Sequence, residues 1–334
     1  MTETSADAPS LTERTRTVAA GAPVVAAAFL RDVTAFVLGE DAVLLVAETG
    51  EAQRVPVHGG AILCAASDGA QVITGGDDGR VMATDARGAA GLIAADAKHR
   101  WIDAVAAGPN GALAWSAGKD AFVRSRKGEE RCLSVASTVG GLAFAPKGLR
   151  LAIAHYNGVT LWFPNAQAPA ETLEWKGYHA GVTISPDGRY LVSAMQEPAL
   201  HGWRLADGKH MRMTGYTAKV HAMDWSADGE ELATSGADQL VLWPFRGKDG
   251  PMGKGPRLLA PMDQQVCAVA CHPKEPVAAV GYENGLTLLI RLEDGAEVVA
   301  KHPGGGAVRA LAWNKRGTQL AFGTEEGEAG IVVL

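Results

Sequence analysis

A unit of about forty residues recurs along this chain, and a period of that length restricts the fold to a propeller or a solenoid. Each unit runs from a hydrophobic stretch into a Pro/Asp/Gly turn, then a second stretch, another Gly/Asp turn and a third stretch. Ile184-Ser185-Pro186-Asp187-Gly188-Arg189-Tyr190-Leu191 and Trp225-Ser226-Ala227-Asp228-Gly229-Glu230-Glu231-Leu232 show it most plainly. Ser226-Ala227-Asp228-Gly229 suits a type I turn, since Asp folds its side chain back and Gly accepts positive φ. The runs are short, rich in β-branched and aromatic residues and bounded by turn formers, so hairpin-linked antiparallel strands are expected.

Opening strands are expected near Val24, Ile62, Ile102, Val139, Tyr178, Val220, Val266 and Val308. The first unit is the most diverged, with Arg31-Asp32 and Glu40-Asp41 as its turn signals. Counting it gives eight blades; dropping it gives seven. The last unit stops at a third run, Ile331-Val332-Val333-Leu334, while Arg14 to Ala20 has no partner of its own. Pairing the two removes two open strand edges together. The expected architecture is therefore an all-β, closed propeller of eight four-stranded blades, seven being the alternative, with the last completed by the N-terminal strand. One domain would occupy residues 14–334, behind a disordered segment 1–13.

Composition narrows the class. The chain has 334 residues, 47% of them apolar, with 41 glycines and a net charge of −6. Length alone suggests two domains, but a repeat array forms one body of this size. Mixed charge without a basic stripe argues against nucleic acid. Met1 to Thr17 is polar and lacks the apolar core of a signal peptide. No apolar run approaches the roughly 20 residues of a membrane span. Cys64, Cys132, Cys267 and Cys271 show neither CxxC spacing nor the density of a disulfide framework. A cytoplasmic monomer is expected, and the Ala- and Gly-rich composition suits a bacterial source.

The Ser-Pro-Asp-Gly turn, the Leu-Ala-Thr-Ser-Gly-x-Asp segment at 232–238 and the Trp closing a unit at 162, 203 and 243 resemble the WD40 repeat family over residues 14–334. The resemblance implies a β-propeller whose blades are pinned by an Asp-His-Ser/Thr-Trp hydrogen-bond network. Asp238 matches the family's structural Asp, but Gly215-Tyr216 stands where the family has Gly-His. No Trp here is followed by Asp, and five of the eight units lack the closing Trp.

Enzyme motifs fail. There is no Gly-x-Ser-x-Gly elbow and no His-Glu-x-x-His. Gly247 to Pro256 superficially looks like a phosphate loop, but Gly255 replaces the magnesium-binding Ser/Thr and two prolines oppose a following helix. It reads as a connection between the last two strands of the sixth blade. By the resemblance, the residue after the first of each opening strand faces the channel mouth, giving Val25, Leu63, Asp103, Gly140, His179, His221, Cys267 and Arg309. His179, His221 and Cys267 from consecutive blades offer a zinc- or copper-like N, N, S set, with Asp103 or water as a fourth ligand. No zinc spacing motif accompanies it, so the preferred reading has no cofactor and treats Asp103, His179, His221, Cys267 and Arg309 as a polar surface for partner proteins or peptides. A one-residue slip in any blade would turn a side chain away. The resemblance implies a non-catalytic interaction scaffold, with histidines making binding pH-sensitive between about 6 and 7.

Overall fold

The computed structural model describes residues Pro9–Leu334. Among the described residues every regular element is a β-strand, apart from two single turns of 3-10 helix at Thr12–Arg14 and Pro109–Gly111. The fold is a β-propeller of antiparallel, mostly four-stranded sheets. Residues 1–8 of the expected disordered segment lie outside the described residues. Ser10 bridges Val299, and the Leu11 N–H donates to the Val299 carbonyl at 2.8 Å. By their contacts the described residues group into two compact units. One runs to Leu38 and takes in Leu44–Gln53 and Tyr216–Leu334; the other holds Gly39–Val43 and Arg54–Gly215.

The turn-and-run pattern decides where strands begin and end. Gly188 and Gly229 take φ of +77° and +70° in their Pro/Ala-Asp-Gly turns. Asp187 and Asp228 each accept from the backbone two residues on and from the preceding Ser hydroxyl. The same turn chemistry opens a hairpin in each case. Between the turns the strands bury both faces, as in Val33–Leu38 and Tyr190–Met195. That is why the runs are continuous rather than alternating.

The diverged first unit forms a complete sheet, Val24–Leu30, Val33–Leu38, Ala42–Ala47 and Ala52–Pro56. The N-terminal strand Thr15–Ala19 pairs antiparallel with Glu328–Val333, supplying the fourth strand of the last sheet. The expectation of eight separate blades is corrected to seven sheets, one of them six-stranded. The units opening at Val139 and Tyr178 are the ones that merge. Strand Glu171–Ile184 is continuous, its first half pairing with Leu151–Trp162 and its second with Tyr190–Met195. Where other units return through a loop, here Gly177 alone, at φ +105°, bends the chain.

Strand Leu151–Trp162 also doubles back. The His155 Nε2 to Thr160 Oγ1 distance is 2.8 Å, whereas residues five apart in a straight strand lie about 16 Å apart. Asn157 and Gly158, at φ +68° and +150°, make that reversal. The loop from Gly247 to Pro256 does connect Leu240–Pro244 to Arg257–Leu259.

The polar network expected of the repeats is present with other residues. The Trp243 indole donates to Tyr216 Oη at 2.7 Å, and Tyr216 donates to Thr234 Oγ1 at 2.8 Å. Thr234 donates onward to the Val241 carbonyl at 3.2 Å. Tyrosine thus stands in for histidine, because one phenol both accepts and donates. In the second sheet His58 supplies the histidine of the network, without its Trp: Nδ1 meets Asp78 at 3.0 Å and Nε2 meets Thr74 at 2.9 Å.

Candidate functional site

A buried anchor stands at or just before most opening strands. Val24, Ile62, Ile102, Val139, Val220, Val266 and Val308 are all buried. At Val24, Ile62, Val266 and Val308 the register then skips one residue, leaving Val25, Leu63, Cys267 and Arg309 opposite nothing on the next strand. Such a bulge re-aims the extra side chain out of the sheet. Asp103, Gly140 and His221 follow their anchors in the same way but precede the first paired residue. Asp103 and His221 are exposed and Gly140 is half-buried.

The fifth position is corrected. The bulge lies between His179 and Gly181, so the re-aimed residue is Ala180, which is exposed. His179 is the anchor. It is fully buried; Nε2 donates to the Trp175 carbonyl at 3.0 Å, leaving Nδ1 to accept from Ser193 Oγ at 2.7 Å. Burial holds its pKa below the ordinary histidine value. Both nitrogens are committed, so the His179, His221, Cys267 metal set is overturned. Among the described residues no group of three His, Cys, Asp or Glu is placed to hold a metal ion.

The remaining positions fall in separate units. His221, Cys267 and Arg309 belong to one, and Arg309 ties them together. Arg309 pairs with Glu325 at 2.8 Å. Desolvation first, then the charges of Arg309 and Lys219, lower the His221 pKa. The pH window expected at about 6 to 7 therefore moves lower at this residue. Burial raises the Cys267 thiol, which leaves it protonated and a poor ligand or nucleophile. In the other unit stands Asp103, whose carboxyl is raised by partial desolvation. The Tyr178 phenol is likewise raised, by burial and then by the Asp103 charge.

Two open grooves lie elsewhere. One of about 880 Å³ is lined by His155, Tyr156, Thr160, Thr172, Trp175 and Lys176. The other, of about 950 Å³, is lined by charges that already pair, such as Arg246 with Glu230 and Arg257 with Glu231.

Sequence reasoning missed the aromatic cluster behind His179. The His201 ring stacks on Trp175 at 4.0 Å and meets Trp203 edge-on at 4.7 Å. Neither ring nitrogen of this fully buried histidine has a hydrogen-bond partner. Desolvation, then the neighbouring His210, His179 and Arg212, push its pKa down to about 3. It also missed Trp101, which is 61% exposed two residues before Asp103. The only signal was the position of Trp101 just ahead of an opening strand.

Comparison with known proteins bears on the fold. Residues 209–243 match the family model described as WD domain, G-beta repeat. WD repeat-containing protein 1-B of Xenopus laevis is 33% identical over 82 residues, which is 24% of this chain and 14% of that protein's length. The crystal structure of the computationally designed Ika8 protein superposes with a TM-score of 0.74 at 15% identity, covering 94% of this chain and 96% of that one.

Proposed function

Because this chain is a degenerate WD40-repeat β-propeller, we propose that it works as a non-catalytic docking module. In one unit Asp103, with Ala180 replacing His179, and in the other His221, Cys267 and Arg309 would each meet a partner protein or peptide. One observation carries this reading. Sheet after sheet keeps an apolar anchor, Val or Ile in seven of the openings, while the residue immediately after it varies from Val to Asp, Gly, Ala, His, Cys and Arg. Packing constrains the first position and leaves the second free, and free positions on a rigid frame are where recognition resides. A net charge of −6 gives a nucleic-acid backbone little to attract.

The test is affinity capture from the source cells with the wild-type chain and with the triple variant Asp103→Ala, His221→Ala, Arg309→Ala. Specific proteins held by the first and released by the second are expected. Equal capture by both would remove the mouth from the account.

A further inference from the structure

Trp101 and Asp103 are held in place from both sides. Before them, the Arg100 guanidinium bridges two carboxylates, reaching Asp96 at 2.7 Å and Asp120 at 2.7 Å. Between them, Ile102 is buried; its N–H donates to the Gly76 carbonyl at 3.1 Å, and its own carbonyl accepts from Cys64 Sγ at 3.1 Å. Burial alternates strictly from Trp101 to Ala104: exposed, buried, exposed, buried. The indole and the carboxylate, two residues apart, are therefore both turned to solvent while Ile102 and Ala104 are not.

An indole this exposed leaves apolar ring area against water. The carboxylate is equally unpartnered. The other exposed aspartates of this chain that depart from the ordinary value are held down by neighbours, as Asp207 is by Arg204 and Asp294 by Arg291. Among the described residues no lysine, arginine or histidine pairs with Asp103. The Tyr178 phenol lies close by. A Cβ at Gly140 would come within 2.1 Å of the His179 carbonyl and 2.9 Å of Tyr178 Oη, so only glycine fits between them.

We propose that Trp101 and Asp103 form a seat for one cationic side chain, lysine or arginine, presented by a partner protein. This rests on the docking reading above and names the chemistry that it selects. The cation gains the Coulomb attraction of an uncompensated, partly desolvated carboxylate and the face of an indole, both stronger than on open surface. Its aliphatic stem covers apolar ring area that water now touches. Little ordering remains to be done on the propeller's side, since Arg100 and Ile102 already fix the segment.

The probes are three capped pentapeptides, Gly-Ala-X-Ala-Gly with X as arginine, lysine or citrulline, titrated into the full chain while its indole N–H signals are followed by NMR. Citrulline keeps the shape of arginine and removes the charge. The arginine and lysine peptides are expected to shift the Trp101 signal, assigned from Trp101→Phe, and the citrulline peptide to bind about tenfold or more weakly. Asp103→Asn should lose the same factor, and Asp263→Asn, an exposed change in a loop of the other unit, should lose none. Equal binding of arginine and citrulline, an unmoved Trp101 signal at millimolar peptide, or identical behaviour of the two Asn variants overturns the proposal. If the peptides fail while the triple variant still releases captured proteins, the cation seat is wrong and the docking reading stands. If capture fails while the peptides bind as expected, the seat stands and the wider surface does not.

Discussion

The sequence repeat aligns His179 with His221, yet one is sealed in the core and the other faces solvent. His179 spends both nitrogens on Trp175 and Ser193. His221 lies exposed, with Arg309 and Lys219 as its electrostatic neighbours. The cause is one residue of register: the bulge follows His179, whereas the anchor at the next opening is Val220. Residue type is thus a poor guide to role in a repeat protein; position relative to the anchor decides it.

The largest effect that would test this contrast is on stability. His179→Ala removes two buried hydrogen bonds and opens a cavity beside Trp203, so a loss of about 2–4 kcal/mol is expected in urea unfolding. A loss below ~1 kcal/mol would mean that His179 is not an anchor.

Acid comes next. His201 has a folded pKa of about 3, below its unfolded value of about 6.5, so the unfolded chain binds the extra proton. Its stabilising contribution is complete above pH 6.5 and is lost as pH falls towards 3, at up to roughly 1.4 kcal/mol per pH unit. The unfolding midpoint should drop through that window, and His201→Phe should flatten the drop. An unchanged slope in the variant would assign the acid sensitivity to other groups.

Tyr216→Phe, which keeps the ring and deletes the link between Trp243 and Thr234, should cost about 1 kcal/mol. Thermal unfolding of that variant beside His58→Phe compares the tyrosine-built and histidine-built networks directly. The smallest change is expected of His221→Ala, within about 0.5 kcal/mol of wild type. If His221→Ala destabilised as much as His179→Ala, the two histidines would be equivalents after all.

Much of the fold could be read from the residues. Pro/Ala-Asp-Gly turns are local chemistry, and they set the strand boundaries at Gly188 and Gly229 wherever they occur. The unpaired N-terminal run and the missing last strand were likewise complementary on inspection. Merging of two units was not legible, because it depends on Gly177 bending a strand instead of breaking it, and glycine serves both ends. The bulge at Ala180 was illegible for a similar reason: His179 and Ala180 both fit a strand, and only the packed sheet chooses which one is buried. His58 carries no Gly-His signature, since the residue before it is Val57; Thr74 and Asp78 at the right separations are the signal it offers. Trp101 belongs to no strand, so no periodicity pointed to it.

The continuous strand Glu171–Ile184 carries a consequence for how the molecule opens. In repeat arrays each unit usually contacts its neighbours through side chains alone and can fray by itself. Here two consecutive units share one run of backbone hydrogen bonds, from Glu171 paired with Leu161 to Ile184 paired with Leu191. Residues 141–213 should consequently exchange their amide hydrogens as one cooperative block. The stiffest segment of the propeller would then be the one that holds His179 and His201, not one chosen by the regularity of its repeat.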